Sequence, residues 1–131
     1  MNQLRAEHGE AFVEAALVGL VVMLLVLGLL QFGLWYHAQH VVIGAAQEGA
    51  HAAALDGAAP SDGERRAVEV AAAGLGSLSE IFSVSSSDGE DSTEMRVRAT
   101  LAPLVPLFPS LTLSAEARAF KERFIPATER R

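Results

Sequence analysis

From Ala15 to Tyr36 the chain carries no formally charged residue, and Leu17 to Leu30 is almost wholly leucine, valine, methionine and glycine. A helix rises about 1.5 Å per residue, so roughly 20 such residues cross a hydrocarbon core of about 30 Å. The run therefore predicts a transmembrane helix, and it commits the first part of the chain before anything else is read. A secretory signal peptide would have a basic start, about 7–15 apolar residues and a small-residue cleavage site. Here the start mixes Arg5 with Glu7, and the apolar run is longer than that. Ala50-His51-Ala52 imitates a cleavage site but lies well past the core of the run. The run is expected to stay on the protein.

The helical signal continues beyond the apolar run. Residues 37 to 57, HAQHVVIGAAQEGAHAAALDG, contain no proline and are rich in alanine, the best helix former. Gly57, followed by Ala58-Ala59-Pro60, supplies a stop. A single helix over about 10–56 would be about 70 Å long at the standard rise. Ser61-Asp62-Gly63-Glu64 then reads as a capping box, with Ser61 as N-cap and Glu64 at the third helical position. The helix it opens, over about 62–76, sets Ala67, Val68, Ala71, Ala72 and Leu75 on one stripe.

Downstream the period changes to two. Ile81-Phe82-Ser83-Val84 predicts a short strand, closed by a Ser/Asp/Gly-rich loop over 85–92. Residues 94–101 alternate, with Met95, Val97, Ala99 and Leu101 on one face, and residues 111–119 alternate again. Between them APLVPLFPS places prolines at 103, 106 and 109, which exclude a regular strand interior. The residues from Phe124 onward read as a frayed tail. The expected fold class is α+β: a long N-terminal transmembrane helix, a second helix and a small three-stranded antiparallel sheet whose apolar face the helices cover.

Composition removes several functions. A formal charge of −6 leaves no basic patch to neutralise phosphates, so nucleic acid is not an expected partner. With no cysteine, disulfides, thiolate zinc sites and cysteine nucleophiles are excluded. His37 and His40 stand at i and i+3, yet no third ligand is apparent beside them, so no metal or other cofactor is expected. They read instead as polar neighbours of Trp35 and Tyr36, an aromatic belt at the headgroup level. Ala45, Gly49 and Ala53 recur every four residues, where they either admit a closely packed neighbouring helix or simply supply helix propensity. The serines at 83–87 have no histidine nearby in sequence to activate them, and no catalytic constellation is found.

One short stretch remains, HGEAFVEAAL, which sets Glu14 at the mouth of the apolar run. Gly9, then Glu10-Ala11-Phe12-Val13, then Glu14 and the run resembles the leader and helix start of type IV pilins and pseudopilins. The resemblance narrows to the TadE-like proteins of the tight-adherence (Flp) pilus system. It is carried by Val13-Glu14-Ala15-Ala16, by Gln31-Phe32-Gly33, by Ala45-Ala46-Gln47-Glu48-Gly49-Ala50-His51, and by the alternation ending in Leu-Thr-Leu-Ser-Ala-Glu-Ala-Arg. It implies cleavage between Gly9 and Glu10 by a prepilin peptidase on the cytoplasmic face. Glu14 would become the fifth mature residue, guiding helix registration during assembly. The implied partners are membrane lipid, the peptidase, other pilin or pseudopilin subunits and the Tad assembly machinery.

The expected organisation is a leader over 1–9, a transmembrane and extended helix over 10–57, and a small extracytoplasmic α+β domain over 58–131. The short N-terminal segment, with Arg5 and His8 as its basic groups, favours a cytoplasmic N-terminus and a single pass through the cell membrane. The expected function is structural rather than enzymatic, with pilus assembly as its context. The competing reading is a plain single-pass anchor that presents a small binding domain outside the cell.

Overall fold

A computed structural model describes residues 2–106 and 108–121. The element order is α1 (Asn2–Ala54), α2 (Pro60–Leu75), a short 3-10 turn (Gly76–Leu78), β1 (Ser79–Asp88), β2 (Ser92–Leu101) and β3 (Leu111–Phe120). This is the α+β arrangement that the sequence predicts. The chain forms two compact units, one ending at Leu34 and a second beginning at Trp35. The expected tail beyond Phe124 lies outside the described residues.

Helix α1 begins at Asn2, so residues 2–9, the expected leader, are helical as well. Gly9 is the weakest helix former there, and an interior glycine costs about 1 kcal/mol relative to alanine, too little to break a helix of this length. The stop falls where the sequence puts it. Gly57 takes φ 77°, and the Ala58 N–H donates to the Leu55 carbonyl at 3.0 Å.

Helix α2 starts two residues earlier than its sequence suggests. Pro60 occupies the first turn, where its fixed φ suits the helix and its missing N–H costs nothing. Ala59 is the N-cap, and the Asp62 carboxylate reaches back to accept from the Ala59 N–H at 3.0 Å. The expected Ser61–Glu64 box is therefore corrected to Asp62 acting on Ala59. Proline fixes the frame, and the short aspartate sits at the right distance. The backbone bond holds the Asp62 carboxyl below its ordinary range, and Arg65 adds to the effect at 2.8 Å.

The displaced Glu64 does something else. Its Oε1 accepts from the Ser86 N–H at 3.0 Å and from the Ser86 hydroxyl at 2.6 Å, which ties α2 to β1. That bond bears on a second correction. Residues 85–88, expected in a loop, continue β1 in register, with Ser85 opposite Arg96, Ser86 opposite Met95 and Asp88 opposite Thr93. Serine has little strand preference of its own, so pairing and the Glu64 bond decide the matter. The hairpin turn shrinks to residues 89–91, closed by the Gly89 N–H donating to the Ser92 carbonyl at 2.9 Å.

The sheet is an antiparallel meander of order β1-β2-β3. Strand β2 is central and alternates as expected, burying Thr93, Met95, Val97, Ala99 and Leu101 on one face. Leu113 joins them from β3. From the second unit's share of α1 come Ala38, Val42, Ala45, Ala46, Ala50, Ala53 and Ala54, and from α2 come Ala67, Ala71 and Leu75. Each fully buried Leu, Val or Met side chain contributes on the order of 1.5–3 kcal/mol. The alanines contribute less area, but they allow the backbones to approach closely.

Candidate functional site

The first unit consists of α1 up to Leu34. Within α1 lies an 18-residue window of mean hydropathy 2.7, none of it buried inside the molecule. Among the described residues this is the one helix long and apolar enough to cross a membrane. Its apolar side chains stand open: Phe12 is 76% exposed, Leu17 58%, Leu25 63% and Leu29 71%. A continuous apolar surface of this kind is not left bare in water and marks a membrane or partner contact.

At the start of this helix Gly9, Glu10 and Glu14 are all exposed. Glu10, Val13, Glu14, Leu17 and Val18 share one face, because their spacings are those of successive turns. Glu10 and Glu14 are thus like charges at i and i+4, a mildly unfavourable pair that a nearby cation would relieve.

The second unit opens with the aromatic pair. Trp35 is half-buried, while Tyr36 is exposed and meets the His40 ring edge-on at 4.4 Å between centroids. His37 and His40 are exposed, and no group of three or more metal-ligating side chains occurs among the described residues. One turn on, the Gln39 amide donates to the Ser114 carbonyl of β3 at 3.2 Å.

Ala45, Gly49 and Ala53 are buried, and helix α2 of the same chain lies against this stripe. A Cβ at Gly49 would fall 2.7 Å from the Ala67 Cβ and 2.9 Å from the Gly63 carbonyl oxygen. One at Gly63 would fall 2.5 Å from the Ala53 Cβ. The two glycines face each other where the helices are closest. Further along, Gly74 is packed on Val41 in the same way. The sequence reading missed Gly63 and Gly74. The signal for Gly63 was present as the four-residue series Gly63, Ala67, Ala71, Leu75, which a capping-box reading of Gly63 obscured.

The outer face of the sheet is polar and paired. The Arg96 Nε donates to Glu116 at 3.0 Å, and the Arg118 guanidinium pairs with Glu94 at 3.2 Å. The bond from Arg96 holds the Glu116 carboxyl below its usual range. At the hairpin end Lys121 pairs with Asp88 at 2.8 Å, and Thr93 donates to Asp88 at 3.0 Å. Both lower the Asp88 carboxyl, Lys121 the more. These exposed pairs orient strands and contribute little stability.

A bare apolar helix joined in sequence to a small α+β unit fits one class, the membrane-anchored proteins with a single N-terminal span. Within that class, residues 9–51 match the family model described as TadE-like protein. The match begins on Gly9, runs through Glu14 and the aromatic pair, and ends inside the α1 stripe that packs on α2. No curated protein and no solved structure matches the chain. Together with the long apolar helix, the match fits a membrane-anchored protein associated with a Tad pilus.

Proposed function

We propose that the chain is a pseudopilin or minor pilin subunit that supports assembly of a Tad (Flp) type pilus. A prepilin peptidase removes residues 1–9 at the cytoplasmic face. The apolar helix remains as the single membrane span, with the unit that begins at Trp35 outside the cytoplasm. The observation that carries this reading is the family match over residues 9–51, which starts at the glycine and covers the whole apolar run.

The chemistry of the helix start supports it. Cleavage after Gly9 frees the α-amino group of Glu10, one turn from Glu14. That new cation relieves the Glu10–Glu14 repulsion and, in a bundle of parallel helices, reaches Glu14 of a neighbouring subunit. An acid at the lip of a bilayer is less costly than one at its centre, and a helix N-terminus favours negative charge. In lipid the paired glutamate then sets register, as isolated polar groups do in coiled coils.

Intact-mass and N-terminal analysis of membranes, from cells with and without a co-expressed prepilin peptidase, tests the proposal. The expected result is a start at Glu10 that requires the peptidase. A start at Met1 or Asn2 in both samples would leave the plain membrane anchor as the better reading.

A further inference from the structure

We infer that the proline-rich connection between β2 and β3 is a second membrane contact, seated in the lipid headgroup region at the level of Trp35 and Tyr36. The inference rests on the reading of α1 as a membrane span. Two contacts fix how the sheet runs along α1 within the second unit. Gln39 bonds to Ser114, which pairs with Arg98, whereas Gly49 lies beside Met95. Moving down α1 toward Trp35 therefore moves along β2 toward Leu101. From Gln39 to Trp35 is about 6 Å of helix, and from Arg98 to Leu101 is about 10 Å of strand. The connection leaves the sheet at the level of the aromatic pair that ends the apolar run.

Charge is distributed accordingly. No residue from Leu101 to Ala115, from Val70 to Ser79, or from Trp35 to Gln47 carries a formal charge. Within the second unit, the described charged side chains of α1, α2, β2 and β3 begin with Glu48, Glu69, Arg98 and Glu116 and lie toward the opposite end. Glu80, next to the last of these uncharged stretches, has a side chain outside the described residues. The connection itself offers Leu104, 50% exposed, with Val105 and Phe108 half-buried beside it. Its backbone is also suited to lipid. Prolines at 103, 106 and 109 leave three fewer N–H groups to be partnered where the chain nears the hydrocarbon region. A fourth is satisfied, because the Phe108 N–H donates to the Val105 carbonyl at 3.0 Å. A lipid surface at the level of Trp35 and Tyr36 accommodates both the exposed Leu104 and the lack of charge around it.

The absence of cysteine makes single labels simple. The full chain carrying Leu104→Cys, Ser87→Cys or Met23→Cys is labelled with an environment-sensitive fluorophore. Each is reconstituted in phosphatidylcholine–phosphatidylglycerol vesicles containing nitroxide-bearing lipids. The expected result is that labels at 23 and 104 lose most of their emission, at 104 best with nitroxides near the headgroup, while the label at 87 does not. A label at 104 that behaves like the one at 87, with 23 still quenched, overturns this inference and leaves the span intact. A label at 23 that is not quenched overturns the span reading, and this inference with it.

Discussion

Glycine at two positions of α1 has opposite meanings, and the difference is purely one of surroundings. A Cβ at Gly44 would meet nothing within 4 Å, whereas one at Gly49 would press on Ala67 and on the Gly63 carbonyl. Gly44→Ala is therefore expected to stabilise the unit by up to about 1 kcal/mol, through helix propensity and reduced unfolded-state entropy. Gly49→Ala should destabilise it by about 1–3 kcal/mol as the helices are forced apart. Chemical denaturation of the two variants in the same detergent measures both, and equal effects would contradict the described packing. Asp62 gives a pH-dependent counterpart. Its folded carboxyl lies below the ordinary aspartate range, chiefly because of the Ala59 N–H. A depressed carboxylate stabilises the fold above its unfolded value, and that contribution is lost as the pH falls through the folded value. Asp62→Asn keeps an acceptor oxygen but cannot titrate. Thermal unfolding from neutral pH into the acid range below the ordinary aspartate value should therefore show a shallower acid loss in the variant than in the parent chain.

At the scale of elements, the strand and helix periods were legible because burial follows them. Met95, Val97, Ala99 and Leu101 alternate in sequence and are buried together. The Pro103–Pro109 spacing marks a connection in sequence and in structure alike. What stayed illegible was decided by contacts between elements. Ser85 to Asp88 have loop composition, but they pair with β2 and receive Glu64 from α2. The N-cap moved to Ala59 because a proline outranks a serine in setting the helix frame. The same tie yields a test. Glu64→Ala removes the acceptor for two donors of Ser86 and should cost about 1–3 kcal/mol, with Ser86→Ala costing less because its N–H keeps the carboxylate. Hydrogen exchange should show the Ser86 amide losing protection in Glu64→Ala and retaining it in Ser86→Ala. Unchanged protection in both would mean that strand pairing alone holds this part of β1.

For the whole molecule, the site legible in the sequence and the packing revealed by the structure lie on different parts of one helix. The stripe of Ala45, Gly49 and Ala53 is occupied by α2 of its own chain, so it is not free to recruit a second subunit. In the proposed function the exposed apolar helix up to Leu34 meets neighbouring subunits, and Glu10 and Glu14 are its two acids beyond the proposed cut. This separation predicts separable defects. Glu14→Ala should leave membrane insertion and the unit beginning at Trp35 intact, since it removes a charge from the apolar helix and precedes that unit in sequence. It should nevertheless abolish incorporation into, or support of, pilus assembly. Glu14→Gln should restore little, because an amide does not attract a free amino terminus as a carboxylate does. Gly49→Ala should do the reverse, loosening the unit while leaving the helix start able to register with its neighbours. Pilus yield and chain stability measured on the three variants together check this, and wild-type yield from Glu14→Ala would remove the glutamate from the assembly step.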